Sequence, residues 1–153
     1  MRLRFVCALL GALFMAGSIW AGPAAAEPAM PSEAVQEKLI KTCILTLNDA
    51  NLTGNYTVLH AKLAKPFRTQ FSPDKLKAGF KGFADQQIDL SVVAIKTPVA
   101  STPSKIDDRG VLQLRGYFDT QPSRVHYELD FLVTEEEWKP ISINVRVRPA
   151  SEK

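Results

Sequence analysis

The chain has 153 residues, 46% of them apolar and 23% charged, which is typical of one globular domain. Its 19 basic and 16 acidic residues give a formal net charge of +3, and two of the basic residues lie at the extreme N-terminus. The rest of the chain is close to neutral, which argues against a protein that binds nucleic acid or anionic membranes, because both need a concentrated positive field.

The first 26 residues have the order of a secretory signal peptide. Arg2 and Arg4 precede an apolar run at residues 5–16, and small residues follow up to Ala26. A positive start, an apolar run and a small-residue cleavage site are the three parts of such a peptide. We therefore predict cleavage after Ala26 and delivery to the periplasm of a bacterial envelope, or secretion. An uncleaved membrane anchor is the alternative, since the apolar segment reaches the low end of spanning length.

Cysteine content limits the chemistry of the predicted mature chain. Only Cys43 remains beyond the cleavage point, so no internal disulfide can form. Cys43 lies on the apolar side of a helical pattern, which favours a buried packing residue over a catalytic thiol. A domain of about 120 residues can bury enough apolar surface to be stable without a disulfide.

The predicted domain spans residues 32–148, between a flexible tether at residues 27–31 and a C-terminal tail at residues 149–153. Its first helix begins at Ser32, whose hydroxyl can cap the helix. Apolar residues then recur every four positions, at Val35, Leu39, Cys43 and Leu47. The turn-forming residues 48–51 are predicted to end this helix.

Two shorter helices are predicted to follow. The second begins near Gly54, carries Tyr56 and His60, and stops at Pro66, which cannot donate a backbone hydrogen bond. The third begins at Ser72, with proline as its first helical residue. All three helices precede the predicted strands, and this order indicates an α+β domain.

After the third helix, the spacing of apolar residues changes from about 3.6 to 2, which indicates strands. Four strands are predicted, at residues 88–100, 111–118, 125–133 and 138–148, with a loop at residues 101–110. Short connections with turn-forming residues join the last three strands, so we expect an antiparallel sheet.

The register of these strands follows from their alternating pattern. Placing Asp119 opposite Arg124 sets the pairing of the second and third strands. The pairs expected from this register are Tyr117 with His126, Arg115 with Glu128, Tyr127 with Val145, and Phe131 with Ile141. One face of the sheet then carries apolar side chains and the other carries mixed charges, and a shift by one residue would mix them. The three helices are predicted to cover the apolar face.

The order of three helices and a long antiparallel sheet resembles the nuclear-transport-factor-two-like fold, which ketosteroid isomerases, polyketide cyclases and many small exported proteins share. The segment LNDANLTGNYTVLHAKLAKPFR at residues 47–68 resembles the helix–turn–helix opening of that family. The resemblance covers residues 32–148. It implies a cone-shaped domain, in which three N-terminal helices pack on one face of a curved four-stranded antiparallel sheet. It also implies a pocket between helices and sheet, and an outer face that can form dimers.

Candidate binding residues come from the inward positions of this arrangement. Tyr127 from the sheet, and Tyr56 and His60 from the second helix, are the polar side chains predicted to line the pocket and bind a ligand. The alternative is that they are core residues whose polar atoms are hydrogen-bonded internally. A second candidate region is the outer sheet face, where Arg115, Tyr117, His126 and Arg146 are predicted to form a partner interface, in a homodimer.

The sequence predicts no catalytic residue, no metal site and no cofactor. Isomerases of the resembled fold need a carboxylate base in an apolar cavity, and no Asp or Glu lies at the predicted inward positions. His60 and His126 are expected on opposite sides of the sheet, too far apart for a shared zinc ion. The favoured function is an exported non-enzymatic module that binds a small apolar ligand or a protein partner, with no nucleic acid and no membrane bound after signal cleavage. A small isomerase or lyase, and a component of a cell-envelope assembly, are the alternatives.

Overall fold

The computed structural model describes residues 28–151, which form an α+β arrangement of helices on one side of an antiparallel sheet. The helices are α1 (Glu33–Thr53), α2 (Thr57–Lys62), α3 (Lys65–Gln70), α4 (Pro73–Gly79) and α5 (Lys81–Asp85). The strands are β1 (Pro98–Ala100), β2 (Lys105–Ile106), β3 (Leu112–Phe118), β4 (Ser123–Thr134) and β5 (Glu137–Pro149). The predicted signal peptide lies outside the described residues, and none of the described helices is long and apolar enough to cross a membrane.

Helix α1 begins as the sequence predicts but ends later. The Ser32 hydroxyl accepts a hydrogen bond from the Val35 backbone N–H at 3.4 Å, which caps the helix. The expected end at residues 48–51 is wrong, because Asn48 and Asn51 are buried helical residues with partners elsewhere in the fold. The helix ends at Gly54, whose φ of 68° is the left-handed conformation that glycine adopts readily.

Four short helices replace the two predicted after α1. The predicted second helix breaks at Leu63, where the backbone becomes extended and the next residue, Ala64, donates its N–H to the Pro140 carbonyl of β5 at 2.9 Å. The third helix starts at Ser72 as predicted, and the Ser72 hydroxyl accepts from the Lys75 backbone N–H at 3.3 Å. It then divides at Phe80 into α4 and α5, close to two glycines that disfavour helix.

The predicted strand at residues 88–100 is wrong over most of its length. Residues Ser91–Ile95 form a 3₁₀ turn, and strand β1 begins only at Pro98. Leu90 and Val93 are fully buried at a spacing of three, which matches the three residues per turn of a 3₁₀ helix. Packing of this turn against α1 therefore overrides the local alternation.

The sheet has five strands rather than the four predicted. Its order is β1-β3-β4-β5, and the added two-residue strand β2, inside the predicted loop, pairs with the other end of β3. The predicted register of β3 and β4 is confirmed, with Tyr117 opposite His126 and Arg115 opposite Glu128. The predicted pairing of β4 and β5 is confirmed at Tyr127 and Val145.

A β-bulge interrupts the pairing of β4 and β5. The register shifts between Asp130 and Phe131, so that Phe131 lies opposite Pro140 and not, as predicted, near Ile141. Proline lacks a backbone N–H and is found in sheets mainly at edges and bulges. Pro140 is buried in consequence, and Ile141 is only half-buried.

The core lies between the helices and the inner face of the sheet. Its most deeply buried side chains come from α1, the following helical segments and alternate positions of β3 and β4, namely Ile44, Leu47, Leu59, Leu63, Leu90, Leu112, Leu114, Phe118, Leu129 and Phe131. The opposite face of the sheet carries the mixed-charge side chains, as predicted, and no described helix packs on it.

Candidate functional site

Two of the predicted ligand-binding residues have internal partners. Tyr56 is buried, its hydroxyl donates to the side-chain carbonyl of Asn51, and its ring stacks on Phe80 with centroids 6.5 Å apart. Burial raises the pKa of Tyr56. The His60 ring donates from Nε2 to the Arg68 carbonyl at 3.0 Å. Both side chains therefore stabilise the helical layer, which agrees with the alternative that their polar atoms are hydrogen-bonded internally.

Tyr127, the third predicted residue, lies on the inner face of β4 across from Gly116. A Cβ atom at position 116 would lie 2.7 Å from Tyr127 Cζ, and closer still to Tyr127 Oη and to the Val99 carbonyl oxygen. Glycine at position 116 thus leaves the space in which the Tyr127 ring lies. Burial raises the pKa of Tyr127 to about 12, so its hydroxyl is a proton-bearing donor at neutral pH.

The cleft that Tyr127 lines is about 470 Å³ in volume and lies between the first turns of α1 and the β1 edge of the sheet. Glu33, Gln36 and Glu37 line it from α1, whereas Tyr56 and His60 are not among its lining residues. The structure therefore brings Tyr127 together with two glutamates that the sequence does not predict as site residues. Alternation along a strand shows which side chains face inward, but not which turn of α1 crosses the sheet edge.

Internal contacts already occupy much of the polar lining of this cleft. The Ser104 hydroxyl donates to Gln36 Oε1 at 2.5 Å, and Gln36 Nε2 donates to the Pro31 carbonyl at 2.8 Å. Glu37 pairs with Lys41 at 2.7 Å and remains exposed to solvent. Its carboxylate is therefore solvated, unlike the desolvated acids and bases of proton-transfer enzymes.

A larger groove of about 560 Å³ lies between α1, α2 and the β4–β5 hairpin, and we call it the α1–hairpin groove. Its apolar lining consists of Val35, Leu39, Cys43, Leu59, Ala61, Phe131, Trp138 and Pro140. The groove exists because the apolar stripe of α1 extends further towards the N-terminus than the elements that cover it. Val35 is accordingly 40% exposed, whereas Leu47 of the same stripe is fully buried.

Three lysines line the α1–hairpin groove, at Lys38, Lys62 and Lys139, and two glutamates, Glu136 and Glu137, line its hairpin side. Lys139 pairs with Glu135 and, at 3.9 Å, with Glu137. Lys62 Nζ donates to the Thr46 hydroxyl at 3.0 Å. Within residues 28–151, neither Lys38 nor Lys62 forms an ion pair, so the helical side of the groove carries uncompensated positive charge.

Cys43 lies at the base of this groove as a buried free thiol, as the sequence predicts. Burial raises the pKa of the Cys43 thiol to about 12, and the nearby charge of Lys62 opposes that shift only weakly. The thiolate is the nucleophilic form of cysteine, and at neutral pH Cys43 is fully protonated.

The raised pKa of Cys43 predicts a loss of stability in alkali. An unfolded thiol loses its proton near pH 8.5–9, whereas the folded thiol keeps it to about pH 12, so the folded state binds more protons between these limits. The free energy of unfolding must then fall as pH rises through this range. We expect the wild type to lose about 1 kcal/mol more than Cys43→Ala between about pH 9 and about pH 10 in urea unfolding. Equal losses in the two proteins would contradict the assignment.

The predicted partner-interface residues Arg115, Tyr117, His126 and Arg146 do share the outer face of the sheet. The rings of Tyr117 and His126 lie 5.7 Å apart between centroids. The predicted charge pair of Arg115 with Glu128 is not formed. Arg115 instead donates to Asp130 Oδ1 at 2.6 Å, and Glu128 pairs with Arg146 at 2.7 Å. Long arginine side chains reach diagonal neighbours as easily as direct ones. The homodimer contact itself stays a prediction.

Comparison with known proteins does not assign this chain to a family. No protein-family model, no curated protein and no solved structure matches the chain. The resemblance to the nuclear-transport-factor-two-like fold therefore stays a hypothesis, and function has to be argued from the sites themselves.

Proposed function

We propose that this protein is an exported, non-enzymatic module that binds a small apolar ligand with one acidic head group in the α1–hairpin groove. The uncovered apolar stripe of α1 carries the proposal, since Val35 stays 40% exposed beside Leu39 and Trp138. A contiguous apolar surface with a polar rim is typical of a binding site on a folded domain. We also infer a nuclear-transport-factor-two-like domain, supported by helices that precede a sheet covered on one face.

The size and lining of the groove suit a flexible hydrocarbon. Its volume of about 560 Å³ lies within the range of about 300–1,000 Å³ that is usual for small-molecule sites. Each methylene group removed from water contributes about 0.8 kcal/mol to binding. The apolar residues form a continuous part of the lining beside a charged rim, so an alkyl chain with a polar end is the occupant that fits best.

The lysines determine the expected head group. Lys38 and Lys62 have no carboxylate partner within the described residues, and both are exposed at the helical side of the groove. Lysine can lay its alkyl stem along an apolar ligand while its ammonium group pairs with an anion. A carboxylate at one end of the alkyl chain would satisfy these two ammonium groups.

Binding fits the chemistry of the groove better than catalysis does. Its one thiol, the Cys43 sulfur, stays protonated because its pKa is raised to about 12. The second candidate function is proton transfer in the cleft of Tyr127, which the proximity of Glu33 and Glu37 favours. Glu33 is exposed to solvent, and the partly exposed Glu37 is paired with Lys41, so this environment supports binding as the first choice.

Ligand binding can be tested with anilinonaphthalene sulfonate, a fluorescent probe that joins apolar rings to one acidic group, and with dodecanoate as competitor. We expect Val35→Asp to weaken binding of both roughly tenfold, because it places a charge against the apolar part of the ligand. The matched control is Val58→Asp, since Val58 is 58% exposed on α2 and does not line the groove. Equal affinities of the two variants would contradict the proposal.

A separate experiment tests whether the lysines select an acidic head group. We expect Lys38→Ala to weaken dodecanoate binding while binding of the uncharged dodecanol stays unchanged. If dodecanol binds the wild type as tightly as dodecanoate does, the lysines do not select an anion, and that part of the proposal is wrong.

A further inference from the structure

The outer face of the sheet contains a cleft of about 430 Å³ that the α1–hairpin groove does not reach. We call it the His126 cleft, and the charged and polar residues that line it from the outer face of the sheet include Arg115, His126, Glu128, Asn144, Arg146 and Arg148. These residues alternate along β3, β4 and β5, so that their side chains share one side of the sheet. The cleft is independent of the function proposed above.

The imidazole of His126 has an unsatisfied nitrogen. Its Nε2 atom is buried and has no hydrogen-bond partner within residues 28–151. Buried polar atoms in folded proteins are nearly always hydrogen-bonded, so an unpaired buried nitrogen marks a place where a hydrogen-bond acceptor is expected. His126 lines the cleft, so a ligand seated there would lie beside this imidazole.

The arginines of this face outnumber the carboxylates that pair with them. Arg115 pairs with Asp130 at 2.6 Å, Arg124 with Asp119 at 2.9 Å, and Arg146 with Glu128 at 2.7 Å, whereas Arg148 has no ion-pair partner within residues 28–151. The side chains of Arg146 and Glu128 are 45% and 47% exposed, so their pairing is weak and can give way to a stronger anion. One positive charge is left for a ligand.

The donors of the cleft converge on a small area. Arg146 lies directly opposite His126, and Arg148 lies opposite Arg124 at the next position on the same face. Residues two apart on a strand are about 7 Å apart along it, which is close enough for two guanidinium groups to reach one oxyanion. Guanidinium groups bind phosphate and carboxylate oxygens through paired hydrogen bonds.

We propose that the His126 cleft binds the phosphate group of a small soluble phosphate monoester, with Arg146, Arg148 and the His126 imidazole as its three donors. A phosphate monoester has three terminal oxygens for these three groups and carries close to two negative charges at neutral pH, whereas a carboxylate carries one, so phosphate is the better match for a cluster of arginines. A second copy of the chain is a poorer occupant, because two faces that each carry an excess of arginine would meet.

The electrostatics around His126 provide a specific signal of binding. Burial, and then the charges of Arg148, Arg124 and Arg146, lower the pKa of His126, while Glu128 and the Tyr117 ring are the other groups that face it. A bound phosphate adds negative charge beside the imidazole and must raise that pKa. By linkage, phosphate then binds more tightly when His126 is protonated.

Proton NMR can measure this effect, because the chain contains only two histidines. We expect glycerol 3-phosphate and inorganic phosphate to raise the pKa of His126 by about one unit at saturation and to leave the resonance of His60 unchanged. Arg148→Gln should weaken binding at least fivefold. The matched control is Arg109→Gln, since Arg109 is highly exposed, pairs with Asp107 in a loop and does not line the cleft.

Each other outcome would overturn the proposal. No shift of His126 at about 10 mM phosphate would exclude a phosphate site of useful affinity. Succinate binding as tightly as glycerol 3-phosphate would replace phosphate by carboxylate as the ligand chemistry. Binding only to vesicles of phosphatidylglycerol would indicate a membrane-facing surface, and a dimer that forms through this face and excludes phosphate would indicate self-association. If Arg148→Gln and Arg109→Gln weakened phosphate binding equally, the binding would not take place in the His126 cleft.

Discussion

Replacing Gly116 with alanine is expected to lower the free energy of unfolding by about 2–3 kcal/mol, because position 116 has no room for a methyl group. A Cβ atom there would lie 2.7 Å from Tyr127 Cζ, and closer still to the Val99 carbonyl oxygen. Neither neighbour can move cheaply. Tyr127 is buried in the core, and Val99 is held in β1 by its pairing with β3. The variant must displace β1, rotate Tyr127 out of its position, or do both.

Urea unfolding measures this effect, and Gly82→Ala is the matched control. No heavy atom lies within 4 Å of a Cβ built at Gly82, which is in the short helix α5. Alanine is the better helix former, so we expect Gly82→Ala to keep the wild-type stability or to raise it by up to about 1 kcal/mol. The interpretation fails if the two alanine variants have the same stability. Tyr127→Phe in the Gly116→Ala background should recover only part of the loss, since the Val99 carbonyl remains in place.

Replacing Asn48 with alanine is expected to lower the free energy of unfolding by about 2 kcal/mol. The Asn48 side chain is 2% exposed, and its carbonyl oxygen accepts the buried Leu90 backbone N–H at 2.7 Å. Its amide nitrogen donates to Asp89 Oδ1 at 3.2 Å. Alanine would leave the Leu90 N–H buried without an acceptor, and such a group costs about 1–3 kcal/mol.

The matched control for Asn48 is its neighbour Asp49, which is exposed on the same helix. We expect Asp49→Ala to change the stability by no more than about 0.5 kcal/mol. Hydrogen exchange gives a local measurement, because the Leu90 amide should lose protection in Asn48→Ala by more than the change in global stability explains. Unchanged protection of the Leu90 amide would show that another group can replace the asparagine.

The strand register could be predicted from the sequence, because it depends on local alternation and on a short connection. Tyr117, His126 and their neighbours alternate between apolar and polar along β3 and β4, and a one-residue shift would bury charge. The register of β4 and β5 could be predicted only up to the bulge at Phe131. Beyond it, the backbone requirement of Pro140 outweighs the apolar pattern, and alternation contains no information about an extra residue.

The helix boundaries show where local reasoning is insufficient. The start of α1 depends on Ser32 and its own first turn, so it could be predicted. Its end depends on Asn48 and on Leu90, which lie 42 residues apart in the chain. Asparagine favours turns when only its neighbours in the sequence are considered, whereas in this fold the Asn48 side chain links α1 to Leu90. The same long-range contact explains why residues 88–100 do not form a single strand.

The candidate sites depended on relations between elements that the sequence does not contain. The sequence predicts that Tyr56, His60 and Tyr127 face inward, but inward side chains need not line one cavity. The α1–hairpin groove arises from how far the hairpin and α2 extend along α1, and this distance is a property of the packed structure. By contrast, the shared face of His126 and Arg146 follows from register alone and was predicted correctly.

The β4–β5 hairpin has a consequence for the order in which the molecule can assemble. Its turn consists of Glu135 and Glu136, both with positive φ, and strand pairing starts immediately at Thr134 and Glu137. Closing so short a loop removes very little chain entropy, whereas joining α1 to Leu90 closes a loop of about forty residues. The hairpin side of the groove can therefore form from local contacts, whereas the docking of Leu90 on α1 has to wait until a much longer loop has closed.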